Sequence, residues 1–185
     1  MTTLYIFPPE SREKPLQKLS DHAAIAKLLR EKNIRLEQWP TKSLPDTASN
    51  DDYLAAYHDE IETLKTTCGF TTADIVSLTP DNEKAAEFRQ KFLSEHIHSE
   101  DEIRFFIEGS GIFYLNLDNT VYALLCEQHD LISVPDGTPH WFDMGPAPHF
   151  RCIRLFTNPE GWVADFTGNP VSDLVPRWEA LLGNL

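Results

Sequence analysis

Apolar and polar positions follow two different rhythms along this chain. Leu4 to Phe7 is a short apolar run stopped by Pro8 and Pro9, which predicts an edge strand. Ser20 and Asp21 offer capping oxygens ahead of Ala23, Ala24, Ile25, Ala26, Leu28 and Leu29, a helix start. Ile34 to Trp39 alternates apolar and polar residues and ends at Pro40, a strand pattern. Asp51 and Asp52 open a second helix with Leu54, Tyr57, Ile61 and Leu64 on one face. Thr71 to Asp74 reads as the start of a short helical piece, and Asp81 to Arg89 as a further helix. From Phe92 the rhythm changes. Glu102 to Ile107, Ile112 to Leu117, Val121 to Cys126, Leu131 to Val134 and Phe150 to Phe156 all read as strands. Gly109-Ser110-Gly111 and Asp118-Asn119-Thr120 read as tight turns between them, and Leu174 to Leu182 predicts a last helix. Short strands in succession, with helices packed outside, predict a sandwich or barrel.

Composition narrows the picture. The 185 residues suit one domain: an N-terminal strand and helices over 1–91, a β-barrel core over 92–156 and an extension over 157–185. A formal charge of −13 sets up a field that repels nucleic acid and anionic membranes, so neither is an expected partner. Cys68, Cys126 and Cys152 are odd in number and form no CxxC pair, which predicts neither a disulfide framework nor a zinc knuckle and suits a cytoplasmic setting. No signal peptide and no membrane-length apolar stretch is readable. Nothing suggests a long hydrophobic interface, so a monomer is expected.

The candidate chemistry lies between His96 and Gly109. In an extended chain alternate side chains share a face, so His96 and His98 point the same way. Glu102 and Arg104 have the same parity. Two imidazoles and a carboxylate suit a first-row divalent metal such as iron, nickel or manganese. A fourth ligand is offered by Pro135 to His140, a turn-rich segment ending in histidine at the mouth of a downstream strand. His22, His58, His129 and His149 read as surface or satisfied core residues. Glu95 points away from the two histidines by parity and Glu100 falls in the turn, so both read first as solvated carboxylates. A guanidinium facing a barrel interior needs an anion. Arg104 therefore reads either as a binding residue for an anionic substrate or as the partner of Glu95, Glu100 or Asp101.

The spacing from His96 to Gly109 (HxH, three residues, Glu, six residues, Gly) resembles the first motif of the cupin superfamily. Pro135-x-Gly137-x-x-His140 resembles the core of its second motif. His129 stands where that motif usually begins with Gly, and Met144 where it usually ends with Asn. Three longer phrases are similar to the acireductone dioxygenase family of methionine salvage. They are His96-x-His98-x-x-Asp101-Glu102-x-Arg104-Phe105, Val134-Pro135-x-Gly137-x-x-His140-Trp141-Phe142-Asp143, and Arg151-x-x-Arg154-Leu155-Phe156 with Gly161-Trp162.

The resemblance implies a mainly β fold with flanking helices, a cupin-type double-stranded β-helix or jelly-roll barrel. It implies one Fe(II) or Ni(II) per chain, held by His96, His98, Glu102 and His140. The implied substrates are O2 and the dianion of 1,2-dihydroxy-3-keto-5-methylthiopentene. With iron the implied products are 2-keto-4-methylthiobutyrate and formate; with nickel they are methylthiopropionate, formate and carbon monoxide. Arg104 is then the catalytic residue that stabilises the dianion, and Arg154 a weaker candidate for the substrate site. Phe92, Phe106, Phe142 and Trp162 are expected to line the pocket, and Glu95 and Asp101 to orient a ligating histidine. Two rival readings remain at this point: another metal-dependent cupin oxygenase or isomerase, and a non-enzymatic metal-binding cupin.

Overall fold

The computed structural model describes residues 1–45, 47–158 and 163–183. The strands are β1 (Thr3–Phe7), β2 (Gln17–Leu19), β3 (Arg35–Gln38), β4 (Thr72–Leu78), β5 (His96–Ile97), β6 (Glu102–Leu117), β7 (Thr120–Glu127), β8 (Asp130–Val134), β9 (His140–Asp143), β10 (Phe150–Phe156) and β11 (Asp165–Phe166). The helices are α1 (His22–Arg30), α2 (Asn50–Ala56), α3 (His58–Cys68), α4 (Ala85–Phe92), α5 (Val171–Leu174) and α6 (Trp178–Leu182). All pairings are antiparallel. One sheet runs β11-β5-β9-β6-β7-β1-β2 and the other β4-β10-β6-β8-β3, so β6 belongs to both. The architecture is a cupin β-barrel with flanking helices, as the motifs imply.

The barrel interior is filled from both sheets. Leu36, Phe106, Ile132 and Cys152 meet Leu4, Phe113, Leu124 and Phe142, and Ile25 and Leu29 of α1 join the same cluster. The outer face of one sheet buries Ile103, Phe105, Leu131 and Ile153 under Tyr53, Tyr57, Ile61 and Leu64 of the α2–α3 segment. The outer face of the other buries Tyr114 and Trp141, stacked at 5.1 Å, beneath Val171 and Val175. Each sheet is thus covered on its outer side by helices, which satisfies the alternation of apolar residues on its strands. Among the described residues no helix is long and apolar enough to cross a membrane.

The Gly109-Ser110-Gly111 segment is not a turn. It lies inside the sixteen-residue strand β6, where the chain passes from one sheet to the other. The register against β10 slips by one between Arg151 and Cys152, and Gly109 takes φ 67°. A Cβ at Gly109 would lie 1.8 Å from the carbonyl oxygen of His149, so only glycine fits. The bulge reverses the parity of the strand. Glu102, Arg104 and Phe106 face the interior before it, and Phe113 and Leu115 after it.

Other elements also depart from expectation. β1 is no edge strand: it lies between β2 and β7, because Pro8 and Pro9 turn the chain back without blocking the pairing of residues 3–7. Thr72–Leu78 is a strand rather than a helix, paired along its whole length with β10, where its β-branched residues pack well. The expected second helix breaks at Tyr57, a fully buried ring whose hydroxyl accepts from the Lys42 N–H at 2.6 Å. The expected last helix breaks at Val175–Pro176, as proline demands. His129, at the motif position usually held by glycine, has φ 86°, the conformation that glycine adopts most freely.

Candidate metal centre

Three segments carry imidazoles to one point. His96 opens β5 and pairs in register with His140 at the head of β9, which lies opposite Leu115 of β6. The loop that delivers His140 is tied to the His98 segment at two points. The Gly137 N–H donates to the His98 carbonyl at 2.9 Å, and the Asp136 N–H to the Asp101 carboxylate at 2.8 Å. One ring nitrogen from each of His96, His98 and His140 falls within 4.8 Å of the other two, and all three side chains are buried.

The hydrogen bonds decide which nitrogens face inward. Nδ1 of His96 lies 2.9 Å from the Ser94 carbonyl, that of His98 3.1 Å from the Val163 carbonyl, and that of His140 2.8 Å from the Thr138 carbonyl. A carbonyl can only accept, so each Nδ1 carries the proton and each Nε2 presents its lone pair. Burial and the neighbouring His140 push His96 down to about 4, which keeps it neutral near pH 7.

Glu102 sits beside the triad rather than within it. Its Oε2 is 3.4 Å from Nε2 of His98 and 3.6 Å from Nε2 of His140, while Oε1 accepts from Arg104. Burial opposes its ionisation, but the Arg104 charge and the two imidazoles outweigh that and hold it well below the usual carboxylate range. At His98 burial favours the neutral ring, yet the adjacent Glu102 carboxylate prevails and raises its pKa. Glu102 thus favours positive charge at His98 Nε2, whether a proton or a metal ion. Among the described residues Glu102 Oε2 and Arg104 Nε are buried with no hydrogen-bond partner. Three imidazole lone pairs and an unspent carboxylate oxygen are a donor set that fits a first-row divalent cation.

Arg104 is buried, bonded to Glu102, with its guanidinium 5.0 Å from the ring centres of both Phe113 and Phe142. The expected alternative partners Glu95, Glu100 and Asp101 are all engaged elsewhere. Glu95 is buried, not solvated, and accepts from Asn116 and Thr167. Glu100 accepts from Thr157, and Asp101 holds the loop before His140 through Asp136. Among the described residues neither Glu95 nor Asp101 is hydrogen-bonded to one of the three imidazoles; backbone carbonyls orient all three rings.

A cavity of about 220 Å³ opens over the triad. Phe92, Phe142, Arg104 and Arg154 wall it. Arg154 gives two hydrogen bonds to Asp74, at 2.9 and 2.6 Å. Phe106 does not wall it: the side chain is wholly buried against Phe113 and Phe142, deeper in the barrel. Trp162 lies outside the described residues. Phe113, Phe156, Phe166 and Lys91 also wall the cavity, and sequence reasoning misses them. Lys91 neighbours Phe92 in sequence, the one signal that points to it; Phe113 faces inward only because of the bulge.

The chain matches the model of the ARD/ARD′ family over residues 3–164. It is similar to an acireductone dioxygenase of Hahella chejuensis, 54% identical over 182 residues, covering 98% of each chain. It is equally similar to one of Marinobacter nauticus, 54% identical over 183 residues and covering 99% of each. Among solved structures it is similar to acireductone dioxygenase from Bacillus anthracis with a cadmium ion in its active centre. That match has a TM-score of 0.77 and 27% identity, and covers 90% of this chain and 98% of the other.

Proposed function

The chain belongs to the ARD/ARD′ family, and from that premise we propose that it is an acireductone dioxygenase of methionine salvage. Its substrates are 1,2-dihydroxy-3-keto-5-methylthiopentene and O2. One observation carries the reading: three imidazoles, each with Nδ1–H held by a carbonyl and Nε2 turned inward, converge beside a carboxylate and a cavity-facing arginine.

His96, His98, His140 and Glu102 would hold one Fe(II) or Ni(II) per chain. Once bound, the ion would supply Lewis-acid activation of the enediolate. The protein does the rest. Arg104 keeps one arm on Glu102 and has an unpartnered Nε–H left for an anionic oxygen of the substrate. Its guanidinium rests against the Phe113 and Phe142 rings, 5.0 Å from each centroid, which helps to keep it aimed. Phe92 and Phe142 offer apolar wall to the methylthio tail, and Arg154, braced by Asp74, adds positive potential. The donors and their cavity are built by one cupin domain. Free thiols at all three cysteines suit a cytoplasmic enzyme, and it is taken to act as a monomer.

The test is metal content with product analysis. Protein purified without added metal is expected to carry about one equivalent of iron or nickel, and oxygen uptake with acireductone should follow. The iron form is expected to yield 2-keto-4-methylthiobutyrate and formate, and the nickel form methylthiopropionate, formate and carbon monoxide. His96→Ala and His140→Ala should lose both metal and turnover. Metal-replete protein that consumes no oxygen with acireductone would sink the reading.

A further inference from the structure

We propose that Lys91 is a substrate-docking residue, whose ammonium group binds the negative charge of the enediolate at the mouth of the cavity. The inference rests on the functional reading above and extends it to a residue outside the cupin motifs. Three lysine or arginine side chains wall the cavity: Lys91, Arg104 and Arg154. Two are already committed to carboxylates of the protein. Arg104 donates to Glu102, and Arg154 gives two hydrogen bonds to Asp74. Among the described residues Lys91 has neither an ion pair nor a hydrogen bond. Glu87, one turn back on α4 and the natural surface partner, does not engage it.

Placement argues the same way. Lys91 lies in the last turn of α4 and is solvent-exposed, yet it borders the cavity that holds the buried triad, so it stands at the rim. Any basic residue suits the end of a helix, but that preference alone does not place one at the edge of a cavity. Arg89, in the same turn, points instead to Asp143 and Glu179.

The whole molecule makes a local cation necessary. With a formal charge of −13 the protein repels a dianionic substrate at long range. At ordinary ionic strength fields decay within about 10 Å, so the charges nearest the entrance decide whether the anion enters. A lysine suits this role, because its compact charge rides on a flexible stem and needs no fixed fork geometry. Orientation inside the cavity remains with Arg104.

The experiment compares wild type, Lys91→Gln and Lys91→Arg by steady-state kinetics with acireductone and by anaerobic calorimetric titration with the same compound. Lys91→Gln is expected to raise both the anaerobic Kd and KM about fivefold at low salt, the size of an exposed charge interaction. Metal content should match wild type, and the loss in kcat/KM should be carried by KM. Lys91→Arg should restore most of it. The ratio of variant to wild-type Kd should fall toward one between about 20 and about 300 mM KCl, as screening removes the difference. Unchanged binding in Lys91→Gln at low salt overturns the inference, as does a loss that persists undiminished at high salt. A wild-type protein that neither binds nor oxidises acireductone removes the functional reading and this inference with it.

Discussion

An unpartnered polar atom in a protein interior costs about 1–3 kcal/mol, more when it belongs to a charged group. Two of the few such atoms here, Glu102 Oε2 and Arg104 Nε, belong to one buried ion pair on neighbouring inward positions of β6. A purely structural salt bridge would be expected to satisfy both ends; this one leaves one acceptor and one donor unspent, as the roles proposed for them toward a metal ion and an anionic substrate require. Arg104→Ala is therefore expected to keep the metal and lower kcat/KM by about 10²- to 10³-fold, the usual loss when a donor to developing negative charge is removed. Arg104→Lys should fall in between, since it keeps charge but not the fork. Full turnover in Arg104→Ala would end the claim. The residue types and spacing of this site were legible in the sequence. That Arg104 answers to Glu102, two residues away on the same face, rather than to Glu95, Glu100 or Asp101, was not: the choice depends on where those three find partners.

Strand β6 is the element that couples the two sheets, and its one-residue bulge at Ile107, two residues before Gly109, sets what faces the cavity on either side. In the sequence this glycine reads as a reversal, because a glycine pair between two apolar runs is also how a hairpin looks. The structure bends the strand instead, since Phe150 pairs with Gly109 and Glu127 with Ser110 without a break. Gly109→Ala must combine a left-handed backbone with a Cβ 1.8 Å from a carbonyl oxygen, and should cost at least about 3 kcal/mol or prevent folding. Gly137→Ala, at φ 65° with open space around its Cβ position, should cost only about 1 kcal/mol. Urea unfolding of the two variants measures the difference, and equal losses would contradict the role given to Gly109.

Across the whole molecule, Arg89 joins three elements. It forks onto buried Asp143 at the end of β9 and onto Glu179 of α6, and Asp143 also accepts from the N–H groups of Gly145 and Trp178. The clip fixes the end of the strand that begins with His140. The Arg89 hydrogen bond pulls Glu179 down to about 2. Because that lies below the ordinary 4.5, the contribution of the pair is complete above about pH 4.5 and fades as pH falls toward about 2. Wild type should be more stable than Glu179→Gln at pH 7, with the gap in Tm closing across that window. Glu179 is 39% exposed, so solvent screening keeps the effect under about 1 kcal/mol. A gap that does not change with pH would refute the assignment.

The candidate donor set, the parity that places His96 with His98 and Glu102 with Arg104, and most strands of the barrel came from the sequence alone. These properties depend on neighbours a few residues apart, whose geometry the backbone period dictates. Only the tertiary structure put β1 between two strands, made Thr72–Leu78 a strand, drew Phe106 away from the cavity wall and set Lys91 at its mouth. Those outcomes turn on pairings between segments as far apart as β1 and β7, and on which charges find partners in space. Local propensity carries no information about either.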